Sequence, residues 1–85
     1  MNFLIEYGNQ PEKFLSRQDA HIARRIVDKI EEDLPDNPVP HNAVSLEEHS
    51  CFRIRIGDYR VLYRVNYSEN KIVIFKIDKR SRAYD

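Results

Sequence analysis

Residues 51–85 read CFRIRIGDYRVLYRVNYSENKIVIFKIDKRSRAYD, and their alternation decides the fold. From Cys51 to Ile56, the apolar residues Phe52, Ile54 and Ile56 alternate with Arg53 and Arg55. Period-2 alternation over such a length is the mark of a half-buried strand. Gly57-Asp58 is a two-residue turn signal, short enough to close a hairpin. Beyond it, Tyr59, Val61, Tyr63, Val65 and Tyr67 alternate with Arg60, Leu62, Arg64 and Asn66. Ser68-Glu69-Asn70 turns the chain again. Lys71 to Asp78 is then a third strand, apolar on both sides, as suits a central position.

A two-residue loop fixes the hairpin register. It sets Ile56 opposite Tyr59, Arg55 opposite Arg60, and Arg53 opposite Leu62. One face then carries Arg53, Arg55, Arg60, Leu62 and Arg64, and the other Phe52, Ile54, Val61, Tyr63 and Val65. Like charges directly opposite each other destabilise a sheet, so the Arg55–Arg60 pairing is a cost that an anion would relieve. The tail extends the basic strip through Lys79, Arg80 and Arg82, and Tyr84 adds an aromatic ring.

Working outward, Asn2 to Tyr7 reads as a short strand stopped by Gly8-Asn9. Pro11 suits the first turn of a brief helix capped by Asn9 or Gln10, with Phe14 and Leu15 facing the core. Ser16-Arg17-Gln18-Asp19 has the spacing of a capping box. After it, Ile22, Ala23, Ile26, Val27, Ile30 and Leu34 form one stripe at helical spacing, and Pro35 ends the helix. Arg24 and Asp28 stand four apart on its polar side and should support each other. The stretch 36–50 is a loop returning to the sheet, with Val44 and Leu46 tucked under an edge. The whole is an α+β domain in the order β-α-α-β-β-β: two N-terminal helices packed on one face of a small, twisted, antiparallel-rich sheet.

Composition sets the outer limits. The chain has 85 residues, 41% hydrophobic and 33% charged, which fits one globular domain spanning residues 1–85. Its net charge of zero conceals a division. Residues 1–50 hold five Lys/Arg against ten Asp/Glu, whereas residues 51–85 hold nine against four. That split fits a basic working face and an acidic back, and equally long charged side chains that keep a small sheet soluble; charge alone does not choose between them. No apolar run reaches the ~20 residues of a membrane span, no leader precedes the fold, and a single cysteine forms no internal disulfide; the expected location is the cytoplasm. His21, His41 and His49 lack ligand spacing with Cys51, so neither a metal nor another cofactor is expected.

The run Phe52-Arg53-Ile54-Arg55-Ile56-Gly57-Asp58-Tyr59-Arg60-Val61-Leu62-Tyr63-Arg64-Val65, followed by Lys79-Arg80-Ser81-Arg82-Ala83-Tyr84, resembles the RelE/ParE toxin superfamily, nearest to its RelE branch. The resemblance covers nearly the whole chain. Arg-x-Gly-Asp-Tyr-Arg-Val-x-Tyr is fairly specific to the superfamily but separates its branches poorly. Some branches cut messenger RNA and others poison DNA gyrase. It implies a RelE-like fold and the toxin of a type II toxin–antitoxin pair. That toxin is a metal-free endoribonuclease that cleaves messenger RNA in the ribosomal A site by 2′-hydroxyl attack, and a RelB-like antitoxin neutralises it. The other readings are a ParE-like gyrase poison and a catalytically silent module that binds nucleic acid or antitoxin.

Residue by residue, Arg60 and Arg80 match positions of phosphate-clamping arginines, a role suited to a planar guanidinium. Tyr84 matches a C-terminal tyrosine that stacks on a base or moves a proton. Arg53 and Arg55 stand where relatives carry lysines implicated in proton handling. Arginine scarcely deprotonates, so here these positions hold charge instead. Arg55 joins Arg60, Arg80 and Tyr84 as the catalytic set, and Arg53, Arg64, Lys79 and Arg82 form the RNA-binding surround.

Overall fold

The computed structural model describes residues 2–79. Its elements are β1 (Leu4–Tyr7), α1 (Asn9–Ser16), α2 (Ala20–Asp33), β2 (Val44–Ser45), β3 (Cys51–Ile56), β4 (Tyr59–Asn66) and β5 (Lys71–Lys79). The strands form one sheet in the order β1-β5-β4-β3-β2. β5 pairs in parallel with β1 and antiparallel with β4, so the strand that is apolar on both sides is internal, as expected. The β3–β4 register also agrees with the sequence reading: Ile56 faces Tyr59, Arg55 faces Arg60 and Arg53 faces Leu62. Gly57 has φ +59°, the positive value that a two-residue hairpin loop asks of its first position.

One core lies between the helices and the sheet. Ile26, Ile30 and Leu34, four residues apart along α2, are fully buried against Ile54, Val61, Tyr63, Ile72, Ile74 and Ile77. Phe14 and Leu15 pack against the same cluster from α1. The Tyr63 hydroxyl, inside the core, donates to the Pro38 carbonyl at 2.7 Å and ties the 36–50 loop to the sheet. Gln10 does similar work at the other end. Its Nε2 donates to the Ile77 carbonyl, and its Oε1 accepts from the Ile77 N–H, both at 2.8 Å. The register of β1 with β5 ends at Tyr7–Ile74, so this amide stands in for a strand partner beyond that point.

Four local expectations are corrected. The N-cap of α1 is Gly8 and Pro11 is the helix's third residue, still within the first turn, where a missing N–H costs nothing. Ser16 closes α1 and donates to the Lys13 carbonyl instead of capping α2, whose N-cap is Asp19 without a side-chain hydrogen bond. On α2 the ion pair is Lys29–Asp33 at 3.5 Å, not Arg24–Asp28. In the loop, Val44 does not tuck under the edge: it starts the two-residue strand β2, paired with Arg53 of β3, and is 45% exposed.

Candidate nucleic-acid interface

The face of the sheet away from the helices is set by the hairpin and carries Arg53, Arg55, Arg60, Leu62 and Arg64. Arg55 and Arg60 are Cα partners, as the sequence requires. Three apolar residues, Leu62, Val73 and Phe75, share this face and are half-buried. Where Lys76, Ile77 and Asp78 fall depends on one irregularity in β5.

Between Asn66–Lys71 and Tyr63–Ile74 the β4–β5 ladder keeps one register; past a bulge at Leu62/Tyr63 it shifts by one residue. Continued without the bulge, the first register would set Ile77 against Arg60 and turn it toward the arginines. The extra residue instead sets Ile77 against Val61, where it is fully buried, and Asp78 against Arg60. It also leaves Phe75 and Lys76, neighbours in sequence, between the buried Ile74 and Ile77. Bulges re-aim side chains in this way, and they recur beside functional sites.

Asp78 answers the Arg55–Arg60 repulsion from within the protein. Its Oδ1 accepts from Arg60 Nε at 2.9 Å and its Oδ2 from Arg60 Nη2 at 3.1 Å, a two-pronged contact that fixes the guanidinium plane. Lys76 Nζ lies 3.9 Å from the same Oδ2. Arg60 is therefore oriented before any ligand arrives. Arg53 and Arg55 form no ion pair with a described residue. Arg64 is shared: Nη2 reaches Glu48 Oε1 at 3.2 Å, and its guanidinium lies 5.8 Å from the centre of the Phe75 ring.

Glu48 arrives through a tight turn. Leu46 N–H donates to the Cys51 carbonyl and Cys51 N–H to the Glu48 carbonyl, while Ser50 takes φ +61°. The turn folds residues 46–50 over the start of β3, where Cys51 is buried at 1% exposure. Cys51 is the Cα partner of Arg64, which brings Glu48 to the arginine face.

The predicted site residues divide into three groups. Arg53, Arg55, Arg60 and Arg64 come together on one face. Lys79 pairs with Tyr59 and so belongs by register to the helix side, off that face. Arg80, Arg82 and Tyr84 lie outside the described residues. Sequence reasoning missed Asp78, Glu48 and Phe75. Asp78 was legible only as a strand end, because the apolar stretch from Ile72 to Phe75 gives no period that marks the bulge.

Fold and face together define a class: small α+β proteins with two helices on one side of a mixed sheet and a guanidinium-rich surface on the other. Comparison with known proteins gives that fold its family. Residues 5–84 match the family model described as the ParE toxin of the type II toxin–antitoxin system parDE. A protein named RelE1 from Methanocaldococcus jannaschii is 35% identical, with 99% of this chain and 97% of that protein covered. Among solved structures, the archaeal RelE–RelB complex from Pyrococcus horikoshii matches at 31% identity and TM-score 0.82, covering 96% of this chain and 99% of that one. The RelBE2 complex from Mycobacterium tuberculosis matches at TM-score 0.82 and 23% identity, covering 94% and 100%, a likeness of fold. The chain belongs to the ParE toxin family of type II toxin–antitoxin systems, within the RelE/ParE superfamily.

Proposed function

We propose that this protein is the toxin of a type II pair and a ribosome-dependent endoribonuclease, acting in the cytoplasm on messenger RNA in the A site. The observation that carries the reading is the arginine face, where Arg53 and Arg55 stand without a described ion-pair partner beside an Arg60 already oriented by Asp78. In the proposed reaction the ribose 2′-oxygen attacks the adjacent phosphorus while its proton leaves. The bond from phosphorus to the 5′-oxygen breaks, that oxygen takes up a proton from water or Tyr84 as it leaves, and the products are a cyclic phosphate and a 5′-hydroxyl. Negative charge builds on the phosphorane oxygens, where fixed guanidinium groups stabilise it most. Arg60 and Arg80 take that role, Arg55 supports them, and Arg53, Arg64 and Arg82 hold the backbone of the message. Tyr84 stacks on a base or carries the proton, since a permanently charged arginine is a poor base.

The partner is proposed from the relatives. The solved structures from P. horikoshii and M. tuberculosis are complexes of toxin with antitoxin, and a cognate antitoxin of the RelB kind is the partner expected here. Primer extension on a message in a competent translation extract tests the activity. The expected result is new 5′ ends only when ribosomes are translating, lost in Arg60→Ala. An intact message would overturn the reading.

The matching family model is that of ParE, and this favours one alternative, a gyrase poison. That reading expects gyrase trapped on DNA and messages left whole, so a gyrase cleavage assay beside the extension reaction separates the two.

A further inference from the structure

Phe75 is the residue that the bulge adds to β5. It is half-buried on a face otherwise dominated by charge, and no core contact requires an aromatic ring there. With Leu46, Glu47, Glu48, Cys51 and Leu62 it lines a hollow of about 290 Å³. Arg64 stands over the ring at 5.8 Å and Arg53 is the Cα partner of Leu62. An apolar hollow with Arg64 over its ring and Arg53 beside Leu62 has two features of a base-stacking platform: a ring for a nucleobase, and cations for its phosphate on one side. The carboxylates of Glu47 and Glu48 repel phosphate from the other.

We propose that the Phe75–Leu62 shelf seats one unpaired nucleobase of a single-stranded RNA, with Phe75 as a positioning residue that sets where along the message Arg55 and Arg60 act. The inference rests on the proposed RNA-directed function and deepens it. The base takes the place of the Arg64 guanidinium over the ring. Arg64 gives up a weak cation–π contact and an exposed pair with Glu48, and turns to the phosphate of the seated nucleotide. Stacking is indifferent to sequence, because every base has a π-face, and purines gain most from it.

The test reads binding and does not depend on cleavage. Ten-nucleotide 2′-O-methyl oligomers, which lack the attacking hydroxyl, are titrated by fluorescence anisotropy against the full chain. The arms are adenosine, uridine and an abasic ribose-phosphate oligomer of equal charge. The wild type should bind adenosine tightest and the abasic chain weakest. Phe75→Leu should weaken adenosine binding by roughly 5- to 100-fold, the range for losing one stacked base, and leave its salt dependence unchanged. Phe75→Tyr should retain the binding, which separates a lost ring from a disturbed sheet. A wild type that does not distinguish adenosine from abasic oligomers, or Phe75→Leu binding like wild type, overturns the proposal and leaves the shelf as protein-contact surface. Failure of the cleavage reading would show only in the translation extract.

Discussion

Arg60 shows how one side chain can be built for charge and still be stable. Its sequence neighbours offer only another arginine across the hairpin, yet Asp78 meets it with two hydrogen bonds. Both groups are about one-third exposed, which screens the pair, so the coupling is modest. A double-mutant cycle of Arg60→Ala and Asp78→Ala, followed by urea denaturation, should give a coupling of about 1 kcal/mol. Tyr63 is the opposite case, fully buried with its hydroxyl on the Pro38 carbonyl. Tyr63→Phe should cost about 1–2 kcal/mol because it strands a carbonyl. Burial raises the Tyr63 phenol well above its ordinary value, and the neighbouring Tyr67 adds to the shift. A raised pKa means the contribution is whole below the unfolded value of about 10 and is lost as the pH rises beyond it. The alkaline limb of stability should therefore be shallower in Tyr63→Phe, as seen in urea midpoints from pH 9 to 11. Tyr7, raised by burial and by its bond to Glu31, and Lys71, raised by hydrogen bonds to Glu6 and Glu69, should keep part of that limb in the variant.

At the scale of elements, the hairpin was legible because its loop is only two residues long and its strands alternate cleanly. Register then follows by counting. Gly57 is where that legibility can be tested. An added Cβ would meet only Arg25 Nη2, at 3.8 Å, so space is not the obstacle; φ +59° is. Gly57→Ala should cost about 1 kcal/mol in thermal or urea unfolding, all of it backbone strain. The β4–β5 pairing was not legible in the same way. Ile72, Val73, Ile74 and Phe75 give no period from which to choose a face, so the bulge and the outward turn of Asp78 leave no trace in the sequence. β2 was hidden for a related reason: two residues amid prolines and asparagines are too few to show alternation. The helices were placed correctly from their stripe, whereas their caps were misassigned by a residue or more, since capping patterns recur wherever Ser, Asp and Asn are common.

For the whole molecule, the basic second part brings Arg53, Arg55, Arg60 and Arg64 to one face, and the physical consequence of such a face is salt dependence. Arg53 and Arg55 have no described ion-pair partners to give up when they meet phosphate. Replacing both by alanine should make the dependence of log K on log salt for single-stranded RNA shallower by about 1.4, two contacts at ~0.7 each. Anisotropy titrations between low and moderate salt would read the slope directly. What the whole molecule hides from the sequence is its reliance on distant pairing. Among the described strands β1 pairs only with β5, joining Leu4 to Lys71 across nearly the full chain. A topology closed by its most distant segments folds late and as a unit.

The central place of β5 has a bearing on how the protein is made. Synthesis runs from the amino end, so every nascent fragment shorter than about 70 residues lacks the strand that joins β1 to β4, together with Ile72, Ile74 and Ile77 of the core. Asp78, which orients Arg60, is added almost last among the described residues. A prematurely released chain thus carries the arginines of β3 and β4 without the scaffold that aligns them. Fragments from interrupted translation therefore lack the aligned arginine face, which is complete only once β5 has been delivered.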